Sequence, residues 1–217
     1  MSGIDNIRAA TISGEAHKRP VIIDGPERDE RADGVIVDEK DLGSATRQAV
    51  FCRVQNPFGR SARTGLDLNA LLKESPSEGE QAIQQLAAEV RTEIDRVLNS
   101  GADGICYMLS GACAAECSPM QYGGHFLEVD REILAGTPEG SFNILYVCGE
   151  RELYIDIVSD LPAQAIAWNS SAGVQVSEVR EMWPRAVAAA DQDADIYMVE
   201  RYESALQWIQ ATEATRS

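Results

Sequence analysis

Two arginines, Arg60 and Arg63, follow the apolar run Ala49-Val-Phe-Cys-Arg-Val-Gln55, which stops at Asn56-Pro-Phe-Gly59. A guanidinium fork holds a carboxylate through two parallel hydrogen bonds and stays charged at any working pH. With Arg53 nearby, the pair reads as a clamp for a small anionic ligand. The alternative is a solvated loop in which Arg60 and Arg63 pair with Asp67 or Glu74. Three cysteines, Cys113, Cys117 and Cys148, follow apolar runs and fall at one end of the sheet if those runs are strands. Thiolates at such spacing are candidate zinc ligands, with Glu116, Glu150, His125 or water as a fourth. The competing reading is a set of inert buried thiols, because free cysteine is among the most buried residue types. No cofactor is the leading expectation and zinc the alternative.

Tyr107 and Tyr146 sit in runs of strand character, where an inward phenol either binds a ligand or completes the core. Asp191-Gln-Asp193 follows a small-residue run, and a carboxylate at a strand end is an acid–base candidate. The sequence contains no glycine-rich phosphate loop, no Ser-His-Asp order and no His-Glu-x-x-His. Its two histidines, His17 and His125, nearly exclude histidine-based catalysis.

The elements that must position these groups follow from periodicity. The 217 residues suit one domain, and 44% hydrophobic content fills a core. Residues 1–19 are patternless and read as a flexible arm, leaving 20–217 as a single α/β domain. Pro20–Asp24 and Gly34–Asp38 are short apolar runs joined by a charged turn. That turn is too short for a usual parallel crossover and suggests a hairpin or an irregular edge. A strand is predicted over 49–55. A helix opening at Ser75 or Ser77 follows, with Ile83, Leu86, Val90, Ile94 and Val97 on one face, and Asn99-Ser-Gly101 closes it. Strands are then predicted at 102–109, 142–148, 164–168 and 184–190. Helices are predicted at 118–136, 151–161, 177–182 and 195–211. Such alternation implies a parallel sheet wrapped by helices, either a barrel or an open doubly wound sheet.

Charge narrows the partners. A net charge of -16 repels phosphate backbones and anionic lipid, so nucleic acid and membranes are poor partners. No signal sequence and no run of about 18 apolar residues is present, which makes a soluble cytoplasmic protein the default. An odd number of cysteines, five, argues against a disulfide framework.

Four segments in order resemble the uroporphyrinogen decarboxylase superfamily, which includes corrinoid and coenzyme M methyltransferases. Gly101-Ala-Asp-Gly-Ile-Cys-Tyr-Met-Leu-Ser-Gly-Ala-Cys113 with Cys117-Ser-Pro119 is similar to the family's GAD strand, loop and SP helix start. Asn143-Ile-Leu-Tyr-Val-Cys-Gly149 resembles its VLHICG strand, and Ala165-Ile-Ala-Trp-Asn-Ser-Ser171 its GLDWT strand end. Val54-Gln-Asn-Pro-Phe-Gly59 resembles a GGPFT turn. The match covers roughly 49–191. The resemblance implies a TIM-type barrel, reduced or distorted around its N-terminal segment, with its site where strands end. It places Asn56, Arg60, Arg63, Ser110 and Asn169 as ligand-binding candidates, and Tyr146, Cys148 and Asp191 as catalytic ones. Cys113, Cys117 and Cys148 become metal candidates. It further implies a homodimer, and either a divergent lyase, a zinc and thiolate methyltransferase, or a non-catalytic binding or assembly protein. The chain departs from the family at three positions. Leu109 stands where an acidic residue is common, Ala167 where the family has Asp, and Tyr146 where zinc methyltransferases have His. Nothing in 1–48 aligns with the decarboxylases' essential acidic residue. A shortened chain of this kind is expected to leave part of the barrel open.

Overall fold

The computed structural model describes residues 2–13, 19–25, 31–43 and 47–199. Eight short strands form a closed, wholly parallel barrel in chain order: β1 (Val21–Asp24), β2 (Gly34–Val37), β3 (Ala49–Gln55), β4 (Gly104–Leu109), β5 (Ile144–Val147), β6 (Ala165–Trp168), β7 (Ala186–Ala189) and β8 (Ile196–Val199). The TIM-type barrel expected from the sequence is thus present, and it is closed. β8 pairs with β1 in the register Val21↔Tyr197, so no strand edge is left open.

Two expectations at the N-terminal end are corrected. β1 and β2 do not form a hairpin; they pair in parallel, Ile22↔Gly34 to Asp24↔Ile36. The strands are so short that the usual crossover length does not apply. Four residues advance about 13 Å, whereas the nine residues 25–33 can reach about 30 Å. Asp33 ends the return, its N–H donating to the Val21 carbonyl at 2.9 Å while its carboxylate accepts from the Val21 N–H at 3.0 Å. Where the sequence reads as a patternless arm, Gly3–Ser13 form α1, which lies under the barrel and plugs its N-terminal end. Ile7 is fully buried with Ile22, Ile36 and Phe51. Gly3 donates to the Arg47 carbonyl at 2.8 Å, and a Cβ there would stand 1.9 Å from the Asp33 carbonyl oxygen.

On the outside run α2 (Pro57–Thr64), α3 (Leu68–Glu74), α4 (Pro76–Asn99), α5 (Pro119–Gln121), α6 (Leu127–Ala135), α7 (Ile155–Val158) and α8 (Val176–Met182). α4 buries Ile83, Leu86, Val90, Ile94 and Val97, the face its periodicity predicts. A π-helical turn at Tyr122–Phe126 joins α5 to α6 and advances the helix phase by one residue. Only 155–158 of the predicted 151–161 helix is helical. The start of the predicted 195–211 helix is instead β8; its Tyr202, Leu206 and Ile209 lie outside the described residues, as does His17. Among the described residues no α-helix follows β1, β2 or β7, so the helical shell is concentrated over β3–β6.

Strand alternation divides the core in two. Ile22, Ile36, Phe51, Cys106, Ile144, Tyr146, Ala167, Ala188 and Met198 point inward and fill the barrel. Val54, Ile105, Tyr107, Leu145, Val147, Ile166 and Val187 point outward against the helices. No helix among the described residues is long and apolar enough to cross a membrane.

Candidate functional site

The mouth at the strand C-terminal ends is built by the same alternation. On β3, Ala49 and Phe51 point inward and Arg53 continues that row one layer higher. Its guanidinium ion-pairs with Asp24 at the end of β1 and lies 3.0 Å from Asp38 just after β2. Side-chain exposure grades across this cluster: 16% for Asp24, 23% for Arg53 and 54% for Asp38. Asp24 is the inner anchor and Asp38 the outer, water-facing arm. The two ion pairs engage one N–H on each terminal nitrogen of a group that carries five. Burial lowers the Arg53 pKa while the nearby Cys106 and Tyr146 groups oppose the shift; an arginine remains charged regardless.

Beside Arg53, β5 supplies Tyr146 from inside the barrel and Cys148 at the strand end. The Cys148 thiol contacts Ser110 and points to the Tyr146 carbonyl at 3.7 Å. Gly149 follows at φ +132°, and a Cβ there would press on Leu153 at 2.8 Å and on Cys113 at 3.0 Å. Glycine therefore lets the two loops of this rim close together.

The other expected site residues are distributed differently. Asn56 follows β3 facing outward and is fully buried beneath the rim. Its Oδ1 caps α2 through the Gly59 N–H at 2.9 Å, and its Nδ2 donates to the Ser110 carbonyl at 2.9 Å. Arg60, on α2, ion-pairs with Glu93 of α4 outside the barrel, and Arg63 is exposed in the last turn of α2. Neither arginine reaches the Arg53 cluster through any of these contacts. Asn169 spends its carbonyl oxygen on Ser171, accepting from both N–H and hydroxyl at 2.9 Å. Asp191 lies beyond β7, folded onto its own loop through the Asp193 N–H at 2.8 Å.

The three candidate metal ligands do not converge on one point. Among the described residues no group of three or more His, Cys, Asp or Glu side chains is placed to hold a metal ion. The Cys113 thiol faces Glu116 at 3.6 Å, whereas Cys117 points away to Asn69 at 3.5 Å. Burial pushes Cys117 and Cys148 up to about 11 and Cys52 and Cys106 to about 12. Near neutral pH these groups are thiols, a poor starting point for thiolate chemistry.

The missed residues had legible signals. Val-Ile-Ile-Asp24 and Val-Ile-Val-Asp38 are matching apolar runs that each end in aspartate, and Arg53 occupies the inward row of an alternating strand. Asp130 stands four residues after Phe126 and three before Ile133, on the buried face of its helix.

Fold and mouth together define a parallel eight-stranded TIM-type barrel with a polar cluster at its strand C-termini, where barrels of this kind carry their sites. No protein-family model and no curated protein matches the chain. Solved structures do. A methyltransferase from Methanosarcina mazei superposes with a TM-score of 0.65 at 11% identity, over 80% of this chain and 60% of that one. A phosphonopyruvate hydrolase in complex with oxalate and Mg2+ gives 0.55 at 10% identity, over 99% and 85%. QR15, an aldolase, gives 0.50 at 14%, over 92% and 88%. Likeness at such identity shows the shared fold, and the chain spans 60% of the methyltransferase's length.

Proposed function

We propose that this chain is a small-molecule-binding barrel of the uroporphyrinogen decarboxylase and methyltransferase kind that takes a small anionic ligand on Arg53. One observation carries the reading: a guanidinium standing inside the barrel wall at the strand C-termini, held by carboxylates from two neighbouring strand ends. A ligand carboxylate exchanges for Asp38, whose exposed position makes release into water easy, while Asp24 keeps the fork aimed. Fork geometry favours a planar carboxylate over a point anion. Tyr146, Cys148 and Ser110 are the groups such a ligand meets beside Arg53. This assigns to Arg53 the role that the sequence suggested for Arg60 and Arg63. The same kinship suggests a homodimer, which light scattering at micromolar concentration tests; a monomer there counts against it.

Oxalate, a planar dianion, is a suitable probe, with uncharged oxamide as its control. At about one hundred times its Kd a ligand adds about 2.7 kcal/mol of stability, a rise in Tm of about 5–10 °C for a chain of this size. Oxalate or a longer dicarboxylate should raise the Tm of the native protein, oxamide should not, and Arg53→Gln should abolish the effect. If no small carboxylate stabilises the native protein, or if Arg53→Gln responds equally, the proposal is wrong.

A further inference from the structure

Directly outside the mouth, between β4 and α6, lies the most deeply buried carboxylate among the described residues. Asp130 has 0% exposure. Its Oδ1 accepts from the Tyr107 hydroxyl at 2.7 Å, and its Oδ2 accepts from the Tyr122 hydroxyl at 2.9 Å and from Asn56 Nδ2 at 3.3 Å. All three partners are neutral donors. Asn56 in turn uses its whole hydrogen-bonding capacity. Besides Asp130 it holds the Gly59 N–H, and it grips Ser110 twice, accepting its N–H at 3.2 Å and donating to its carbonyl at 2.9 Å. Ser110 is the rim residue that meets Cys148. A continuous set of bonds thus runs from a buried carboxylate, through one amide, to the strand C-terminal rim at Ser110.

We propose that Asp130 is a proton-operated latch on the barrel mouth: as a carboxylate it fixes Asn56 and so Ser110, and as a neutral acid it releases them and weakens anion binding at Arg53. The asymmetry lies in the partners. A proton placed on Oδ1 meets the Tyr107 oxygen, which can turn and accept. A proton placed on Oδ2 can likewise meet the Tyr122 oxygen, whereas the Asn56 amide nitrogen, the other partner of Oδ2, has no lone pair and cannot reverse its role. Neutralisation therefore weakens the Asn56 bond most, because that bond cannot reverse and loses the extra strength of a charged acceptor.

The surroundings leave Asp130 as the group that changes state. Burial pushes it up to about 6, against the pull of the Tyr107, Tyr122 and Asn56 hydrogen bonds. Tyr107 on β4 and Tyr122 in the π-helical turn are held well above their ordinary value, and Cys117 is raised to about 11. Arg91 of α4 and Arg131 of α6 act on those tyrosines but pair with Glu132, and with Glu128 and Asp160, respectively. His125 shares the π-helical turn and needs its own control.

The effect on affinity rests on the ligand reading above; the movement of the rim does not. Two readouts separate them: the amide 1H–15N resonances of Gly59 and Ser110 followed from about pH 5 to 8, and the Kd of oxalate, a dianion across about pH 5.5–8, over that narrower range. Both amides should titrate with one midpoint near pH 6 in the native protein and in His125→Gln, and the oxalate Kd should rise about fourfold at about pH 5.5. Asp130→Asn should remove the midpoint and fix the weak-binding state. Tyr122→Phe, which deletes a hydrogen bond that favours the carboxylate, should move the midpoint to higher pH and keeps the test open should Asp130→Asn fail to fold. Amides that do not titrate, a midpoint that survives Asp130→Asn, or one unmoved in Tyr122→Phe each overturn the latch. Titrating amides with an oxalate Kd independent of pH overturn its coupling to the mouth. Oxalate that fails to bind at any pH, with the amides still titrating as described, removes the ligand reading and leaves the rim latch standing.

Discussion

Asp130→Asn tests the electrostatics of the buried network through stability alone, without any ligand. The Asp130 pKa is about 6 in the folded protein against an ordinary value of 3.8. A folded-state value above the unfolded one means that the native state binds the proton more tightly. The stabilisation is fully present below about pH 3.8 and is lost as pH rises through about 6. In full it amounts to about 3 kcal/mol, at about 1.4 kcal/mol per pH unit of displacement. Between about pH 5 and 8, where the fold is easier to keep intact, about 1.4 kcal/mol of it is lost. The native protein alone cannot report this, because the other carboxylates of a chain with net charge -16 titrate as well. The difference between native and Asp130→Asn cancels them. The native protein should therefore lose about 1.4 kcal/mol relative to the variant on going from about pH 5 to 8. With urea slopes of about 1–3 kcal/mol/M, that moves the difference between midpoints by about 0.5–1.4 M. A difference that stays flat, or that grows in favour of the native protein with rising pH, refutes the assignment of a raised pKa to Asp130.

Other outcomes follow from single contacts. Ile7→Ala empties the floor of the barrel where α1 plugs it and should cost about 2–5 kcal/mol in urea unfolding; a cost under about 1 kcal/mol means α1 does not seal the barrel. Gly3→Ala places a Cβ 1.9 Å from a backbone oxygen, so it should loosen α1 and raise proteolysis within residues 3–13, which limited trypsin digestion at Arg8 reads directly. Arg60→Ala should leave anion-induced stabilisation unchanged, since its partner is Glu93 on α4 rather than the mouth; loss of the response moves the site onto α2. The buried thiols should alkylate slowly in the native protein near neutral pH and all five should react in urea, as mass spectrometry of iodoacetamide adducts will show. A Cys148 that labels faster than free cysteine contradicts its raised pKa.

Much was already written in the order of residues. The alternation in Ala49–Gln55 and the 3–4 spacing from Ile83 to Val97 set a strand and a helix, because burying one face is the dominant free-energy term for either element. The order of βα units over 101–190 set a parallel sheet and the resemblance implied a barrel, but the expectation that part of it stays open is overturned by the β8–β1 pairing that closes it. Which aspartates meet Arg53 was not legible, because β1, β2 and β3 become neighbours only through a register fixed by pairing. Local periodicity likewise could not show that nine residues suffice to bring β2 parallel to β1, or that residues 3–13 coil into a plug, since both depend on surfaces contributed by distant strands. It could place Asn56 at a strand end, but not turn it outward into a hydrogen-bonded partnership with Asp130, 74 positions later. Sequence decided which faces are apolar; tertiary structure decided which polar groups those faces bring together, because a side chain's partner, burial and charge state are set by neighbours in space.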